Sequence, residues 1–202
     1  MAAGIMAQDS WNSPVVKQIY KGVRDPETIL FQLCHTKAEH FAKLYDFELA
    51  SPDGRAFLIG RDTLNENKWA DIILQIKLFY HSIGLMKLSE IRSVISRRKK
   101  SECLLNDSWH KAFISGRCYK IEVIGISKEI KDLSYLLKII GSRIRYCEKH
   151  KIPMVVATPQ SSIASLLCGM GFEIVRKTSF AQENCSQFGM ILFPEGINRS
   201  RC

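Results

Sequence analysis

The 202-residue sequence predicts a mixed α/β (α+β) single domain, with a mixed central sheet of about six to seven strands flanked by about four helices. Three observations predict it. CYKIEVIGI (118–126), IPMVVAT (152–158), FEIVRKTSF (172–180) and FGMILF (188–193) are short β-branched or aromatic runs that read as strands. Between the first two lies a segment with Leu133, Leu136, Leu137, Ile140 and Ile144 at helical spacing. A strand that feeds a long helix and returns to a neighbouring strand is a parallel crossover. The third is MVVATPQSSIASLLCGMGFEIV (154–175), a strand, a polar break, a short apolar helix and a strand restarting after a glycine.

Taken in order, residues 1–14 read as a flexible leader, 15–195 as the domain and 196–202 as a flexible tail. VVKQIYKGV (15–23) is β-like. Asp25-Pro26-Glu27 supplies a cap, a proline at the first helical position and an acidic first turn. Leu30, Leu33, Cys34, Phe41, Leu44 and Tyr45 then share one helical face. SPDG (51–54) is a turn, RAFLIG (55–60) a short strand and RDTLNEN (61–67) a polar loop. WADIILQIKLFYHSIGLMKLSEI (69–91) has two readings: a long helix, or a hairpin broken at His81-Ser82, which its β-branched residues favour. Residues 90–116 are charged, with a possible helix. Ser127 is a plausible cap for the long helix, the basic end Lys149-His150-Lys151 suits its negative pole, and Pro153 forces an exit. Ser161 or Ser162 caps the short helix carrying Ile163, Leu166, Leu167 and Met170, and Gly171 supplies its left-handed stop.

Composition bounds the function. An ordinary balance of apolar and charged residues argues against disorder, and no run reaches the roughly 18 to 20 apolar residues of a membrane span. The N-terminus lacks the basic region of a signal peptide, so a cytoplasmic location is expected. Seven cysteines form no CxxC pair and no even framework, which fits a reducing compartment without disulfides; Cys34, Cys147 and Cys168 sit in apolar patterns as small hydrophobes. Cys147 and His150 lack a second ligand pair, so no metal is expected, and nothing ties Cys118 to His110 as a nucleophile pair. The net charge of +9 suits an acidic partner, and Arg97-Arg98-Lys99-Lys100 is either a solvated helix end or a docking patch for one. No aromatics are interleaved with these cations, which makes nucleic acid an unlikely partner; a basic module acting through residues 92–100 and 143–151 stands as a third reading.

The order of elements, with a short helix ending in Gly171-Phe172, resembles the GNAT superfamily of N-acetyltransferases. That family reads N-x-x-A-x-x-L-Y-x-x-x-G-F after its fifth strand; here Gln160, Ile163 and Leu167 stand at the asparagine, alanine and tyrosine. The family's phosphate-binding motif, (R/Q)-x-x-G-x-(G/A), opens the long helix; here Lys131, Ser134 and Leu136 stand at its three fixed positions. Similar losses occur in the acyl-homoserine-lactone synthases and N-acyl amino acid synthases, the autoinducer-synthase-like branch. Their D-x-x-D is similar to Asp62 and Asn65, and their G-x-x-R-L to Gly84-Leu85-Met86-Lys87-Leu88 on a second hairpin strand. Their E-x-S-R on the central strand has no counterpart at Lys120 and Val123.

The resemblance implies an acyltransferase that moves an acyl group from acyl carrier protein (acyl-ACP) or acyl-CoA to an amine such as an amino acid. Strand alternation puts Lys120, Glu122 and Ile124 on one side and Tyr119, Ile121 and Val123 on the other. Glu122 is then the candidate base, directly or through water, and backbone N–H groups from Ile124 to Ile126 polarise the thioester carbonyl. Ser127, Lys131, Ser134 and Gln160 are the donor-side contacts; Asp62, Lys87 and Lys120 are the acceptor-side ones. Each has a plainer reading, as turn, cap or solvated charge. The alternative function is a domain of the same fold that binds a partner or acyl ligand without catalysis.

Overall fold

The computed structural model describes residues 1–49, 51, 53–101, 108–127, 134–180 and 185–195. In chain order the elements are α1 (Ala2–Asn12), α2 (Pro14–Ile19), α3 (Pro26–Leu44), β1 (Asp46–Leu49), β2 (Ala56–Asp62), α4 (Lys68–Leu85), α5 (Leu88–Lys100), β3 (Tyr119–Ile126), α6 (Ser134–His150), β4 (Met154–Thr158), α7 (Ser161–Gly169), β5 (Glu173–Phe180) and β6 (Cys185–Leu192). Short 3₁₀ turns occupy Thr63–Asn65 and Trp109–Ala112. The six strands form one mixed sheet in the order β1-β2-β3-β4-β6-β5. Only β3 and β4 run parallel among the described pairs, joined by the α6 crossover that the sequence predicts.

Helices cover both faces of the sheet. Leu58, Tyr119, Ile121, Met154 and Val156 pack against α6 and α7, while Phe57, Ile59 and Val123 pack against α1 and α3. The end of α7 shows how local sequence sets this packing. Gly171 takes φ +94°, a conformation that side chains resist. Its N–H donates to Cys168 O at 3.0 Å and that of Phe172 to Leu167 O at 3.1 Å, the paired bonds of a glycine-capped helix end. The chain thereby turns back into β5 with Phe172 buried.

Five expectations are corrected. Residues 69–91 form no hairpin: Asn67 caps α4 by accepting from Ala70 N–H at 3.1 Å, and no glycine or proline interrupts the chain before Gly84. The G-x-x-R-L likeness fails with it, because Lys87 sits exposed at the cap of α5 with its N–H donating to Glu90 Oε2. Residues 15–23 hold α2 rather than a strand, since Pro14 pre-sets the first helical φ and Val15 and Ile19, four apart, pack with Ile91 and Val94. The segment expected as a leader contains α1, whose Ile5, Met6 and Ala7 are buried beside Cys34, Phe57 and Ile59. Gln160, rather than Ser161 or Ser162, precedes α7 as its cap residue. The seven α-helices among the described residues exceed the expected number for these reasons; the 196–202 tail lies outside the described residues.

Two strand glycines make room for buried aromatics. Gly125 pairs with Phe57 across the β2–β3 ladder, and a Cβ there would lie 2.2 Å from Phe57 Cζ. Gly60 does the same for the Tyr119 ring, 2.6 Å from where its Cβ would be. Both rings are fully buried and cannot swing away. Gly125→Ala should therefore cost about 2 kcal/mol by overpacking, lowering the melting temperature by about 4 to 8 °C. Thermal unfolding checks this, and an unchanged melting temperature would contradict the packing.

Candidate active site

The sheet opens at its centre. β3 and β4 pair through Tyr119–Met154, Lys120–Val155 and Ile121–Val156, and there the parallel ladder stops. β3 continues to Ile126 along β2, and β4 continues to Thr158 along β6. The cause lies one strand away. Opposite β2, Ile59 pairs with Val123 but Gly60 with Ile121, so Glu122 is an extra, bulged residue.

The bulge switches which residues face which way. Tyr119 N–H donates to Pro153 O at 2.8 Å, towards β4, whereas Ser127 N–H donates to Arg55 O at 2.8 Å, towards β2. Counting back from Ser127 by twos, Gly125 and Val123 turn their backbone groups to β2, and Ile124 and Ile126 turn theirs to the gap. The side chains follow: Ile124 and Ile126 pack on the cluster of Tyr119 and Ile121, while Val123 packs with Phe57 and Ile59. The expected simple alternation, with Ile124 beside Glu122, is corrected accordingly.

The gap is a cavity of ≈ 420 Å³, within the range of small-molecule sites. Ile124, Ile126, Val156 and Ile163 give it apolar walls; Glu122, Gln160 and Lys37 give it polar ones. Gln160 is placed there by the β4–α7 turn, its N–H donating to Thr158 Oγ1 at 3.2 Å. Ser127 directly follows β3 and Ser134 opens the described part of α6; Lys131 lies outside the described residues.

Glu122 belongs to a charged network on the α3–α4 side of the sheet. Arg61 is its hub, 12% exposed. The guanidinium reaches Glu122 Oε1 at 2.9 Å, Asp71 Oδ2 at 2.9 Å and Tyr45 Oη at 2.7 Å, and lies over the Tyr45 ring. Lys120 Nζ lies 3.0 Å from Glu122 Oε2, so this part of the expected grouping is present. The Arg61 Nε to Glu122 Oε1 contact is ionic without being directed, and both atoms are buried with no hydrogen-bond partner. Burial works against charge on Arg61, but Glu122 and Asp71 outweigh it and hold the group firmly protonated. Burial and the bond donated to Asp71 push the Tyr45 phenol up.

Asp62 is committed elsewhere and does not line the cleft. It is 4% exposed; Arg117 Nε and Nη2 donate to it at 3.0 and 2.6 Å, Tyr146 Oη at 2.9 Å and Leu64 N–H at 2.9 Å. Burial pushes its carboxyl up, but the bonds from Arg117, Leu64 and Tyr146 outweigh this and hold it below its ordinary value. Its folded-state value being lowered, its stabilisation is complete above the unfolded value of about 3.9 and is lost as pH falls through that value towards the lower folded one. Asp62→Asn should remove that part of the acid unfolding transition, as urea melts between neutral pH and pH about 3 would show. An identical pH dependence would contradict the assignment.

A second cavity, ≈ 520 Å³, is lined by His110, Lys111, Arg117 and Lys120. The strand gap is the stronger candidate, because it lies where the parallel pair opens and its strand edges are left unpaired with one another. Among the described residues no His, Cys, Asp and Glu cluster is suited to a metal ion. Cys34, Cys118 and Cys147 are free and buried, burial pushing the Cys147 thiol up to about 12, whereas Cys168 is exposed, contrary to its apolar pattern. Arg97 is tied to Ile19 O and Lys21 O, and Arg143 to Asp46 and Glu48, which takes one cation from each of the two basic stretches. Arg61 and the bulge escaped the sequence reading; Gly60, an isolated glycine within a strand run, was the available signal.

No family model matches the sequence, and no curated protein matches it. Among solved structures the chain is similar to an agmatine N-acetyltransferase in its apo form, at 8% identity, over 79% of this chain and 94% of that chain, with a TM-score of 0.42. The fold itself rests on the sheet order, the single parallel pair and the α6 crossover.

Proposed function

We propose that the protein is an N-acyltransferase that moves an acyl group from a thioester donor, acyl carrier protein or acyl-CoA, to an amine such as an amino acid, in a reducing cytoplasmic setting. One observation carries the reading: the parallel pair opens at the Glu122 bulge, leaving backbone groups of Ile124 and Ile126 facing an apolar gap. A gap between two strand edges suits an extended chain bearing amides, which the pantetheine arm of either donor is. An N–H of β3 then bonds the thioester oxygen as charge grows on it. The amine nitrogen attacks the carbonyl carbon, the N–C bond forms, the C–S bond breaks, and the sulfur leaves as thiolate.

The amine proton passes to Glu122, directly or through water. Its Oε1 is a buried acceptor with no directed bond, while Lys120 and Arg61 keep the carboxylate in place. Where the resembled family has a tyrosine to protonate the thiolate, Leu167 is fully buried, and the thiolate takes its proton from water. That same substitution supports the second reading, a non-catalytic domain that holds an acyl ligand or partner in the gap. An acyl-transfer assay over a broad amine panel, with acyl-CoA and acyl-ACP in turn, separates the two. Acylated amine from either donor supports transfer; donor binding without product moves the assignment to the second reading.

A further inference from the structure

We propose that α4 is an interfacial helix that seats the protein on the anionic surface of a lipid bilayer. Ile72, Ile73, Ile76, Phe79, Tyr80 and Ile83 recur at three- and four-residue steps, so they share one face of α4, with Trp69 a turn ahead of them. That face points away from the protein: Trp69 is 76% exposed, Ile76 50%, Phe79 51% and Tyr80 69%. The opposite face fixes this orientation, because Leu74 is buried and Asp71 is bound to Arg61 and Tyr45. The result is a convex apolar ridge about 21 Å long at 1.5 Å per residue. A ridge this apolar is far from the scattered apolar groups of an ordinary surface.

Charge identifies the occupant. No acid lies in the stripe, and exposed Lys68, Lys77 and His81 flank it. Exposed Lys87, Arg92, Arg98, Lys99 and Lys100 follow on the adjoining cap and α5. The acids of α4 and α5 are engaged locally: Asp71 with Arg61, and Glu90 through both oxygens with the N–H groups of Arg24 and Lys87. Cations around an apolar helix face, with a tryptophan and a tyrosine on it, match the boundary between anionic headgroups and acyl chains. A second copy meeting this face would set like charges against each other, and a convex ridge offers no groove for a partner's side chains. No helix among the described residues is long and apolar enough to cross a membrane, so α4 would lie on the surface rather than span it. The inference is independent of the proposed catalysis.

The full chain is to be co-sedimented with vesicles of phosphatidylcholine alone and of phosphatidylcholine with phosphatidylglycerol. The expected result is binding at least about tenfold tighter to the anionic vesicles, weakening with salt. The pair Ile76→Glu and Phe79→Glu, at half-exposed positions, should weaken it about tenfold or more without moving the melting temperature. Tryptophan emission gives a second readout: the blue shift on anionic vesicles should vanish in Trp69→Ala. Three results would overturn the proposal. One is no binding to either vesicle. Another is binding that survives both the glutamate pair and Trp69→Ala, which would make it a purely electrostatic attraction. The last is a vesicle-blind protein forming a dimer or an acidic-protein complex that the glutamate pair dissociates.

Discussion

Glu122→Gln is expected to lower acyl-transfer turnover by about 10²- to 10⁴-fold, the usual worth of a positioned general base. Glutamine keeps the shape and the acceptor oxygen but cannot take the amine proton. Donor binding should be little changed, because glutamine keeps the shape of that wall and the backbone of Ile124 and Ile126 and the apolar walls are untouched. The loss should therefore fall on kcat rather than on the KM for the donor. The substitution also leaves Lys120 and Arg61 with one negative charge fewer, so a fall of a few degrees in melting temperature should accompany it. A variant with native turnover would remove Glu122 as base and leave the β3 amides as the whole of the catalytic contribution.

Arg61→Ala should be the most damaging substitution to the fold. It strips the shared cation from Glu122, Asp71, Glu66 and Tyr45 and leaves Glu122 and Asp71 facing a poorly solvated space. Removing one partner of a buried ion pair costs about 3 to 5 kcal/mol; the lower end applies here, because Asp71 is one-third exposed. At this chain length about 3 kcal/mol is a fall of about 6 to 12 °C in melting temperature. Arg61→Lys should recover only part of it, since an ammonium cannot reach Glu122, Asp71 and Tyr45 in one planar fork. Differential scanning calorimetry of both variants checks the ordering. Equal stability of wild type and Arg61→Ala would show that the network is dispensable.

The stretch from β3 to β5 was legible in the sequence because its signals agree with one another. A β-branched strand, a helical-period segment, Pro153, a second strand and the Gly171 stop all specify one crossover unit. The α4 segment misled for a physical reason. Its residues fit a helical period, but the isoleucines carrying it weigh towards strand, and tertiary ties at Asp71 and Leu74 decide the matter. α2 is one and a half turns long, too short for a period to show. The bulge at Glu122 depends on the register between β2 and β3, which single-strand alternation cannot reveal. Arg61 was invisible for the same reason, since its partners include Tyr45 just after α3, Asp71 on α4 and Glu122 on β3. Asp62 was read as a contact for the acceptor; its saturated pairing with Arg117 and Tyr146 came from the fold bringing residues 62, 117 and 146 together.

Hydrogen–deuterium exchange of β3, followed with and without an acyl-thioether donor analogue that cannot be cleaved, tests most directly whether the strand gap is the donor site. With analogue bound, slower exchange is expected in peptides covering Val123–Ile126 and the start of α7, where the thioester arm would pair with Ile124 and Ile126. Bound analogue with unchanged exchange there, or protection confined to the cavity beside His110 and Lys111, would contradict it.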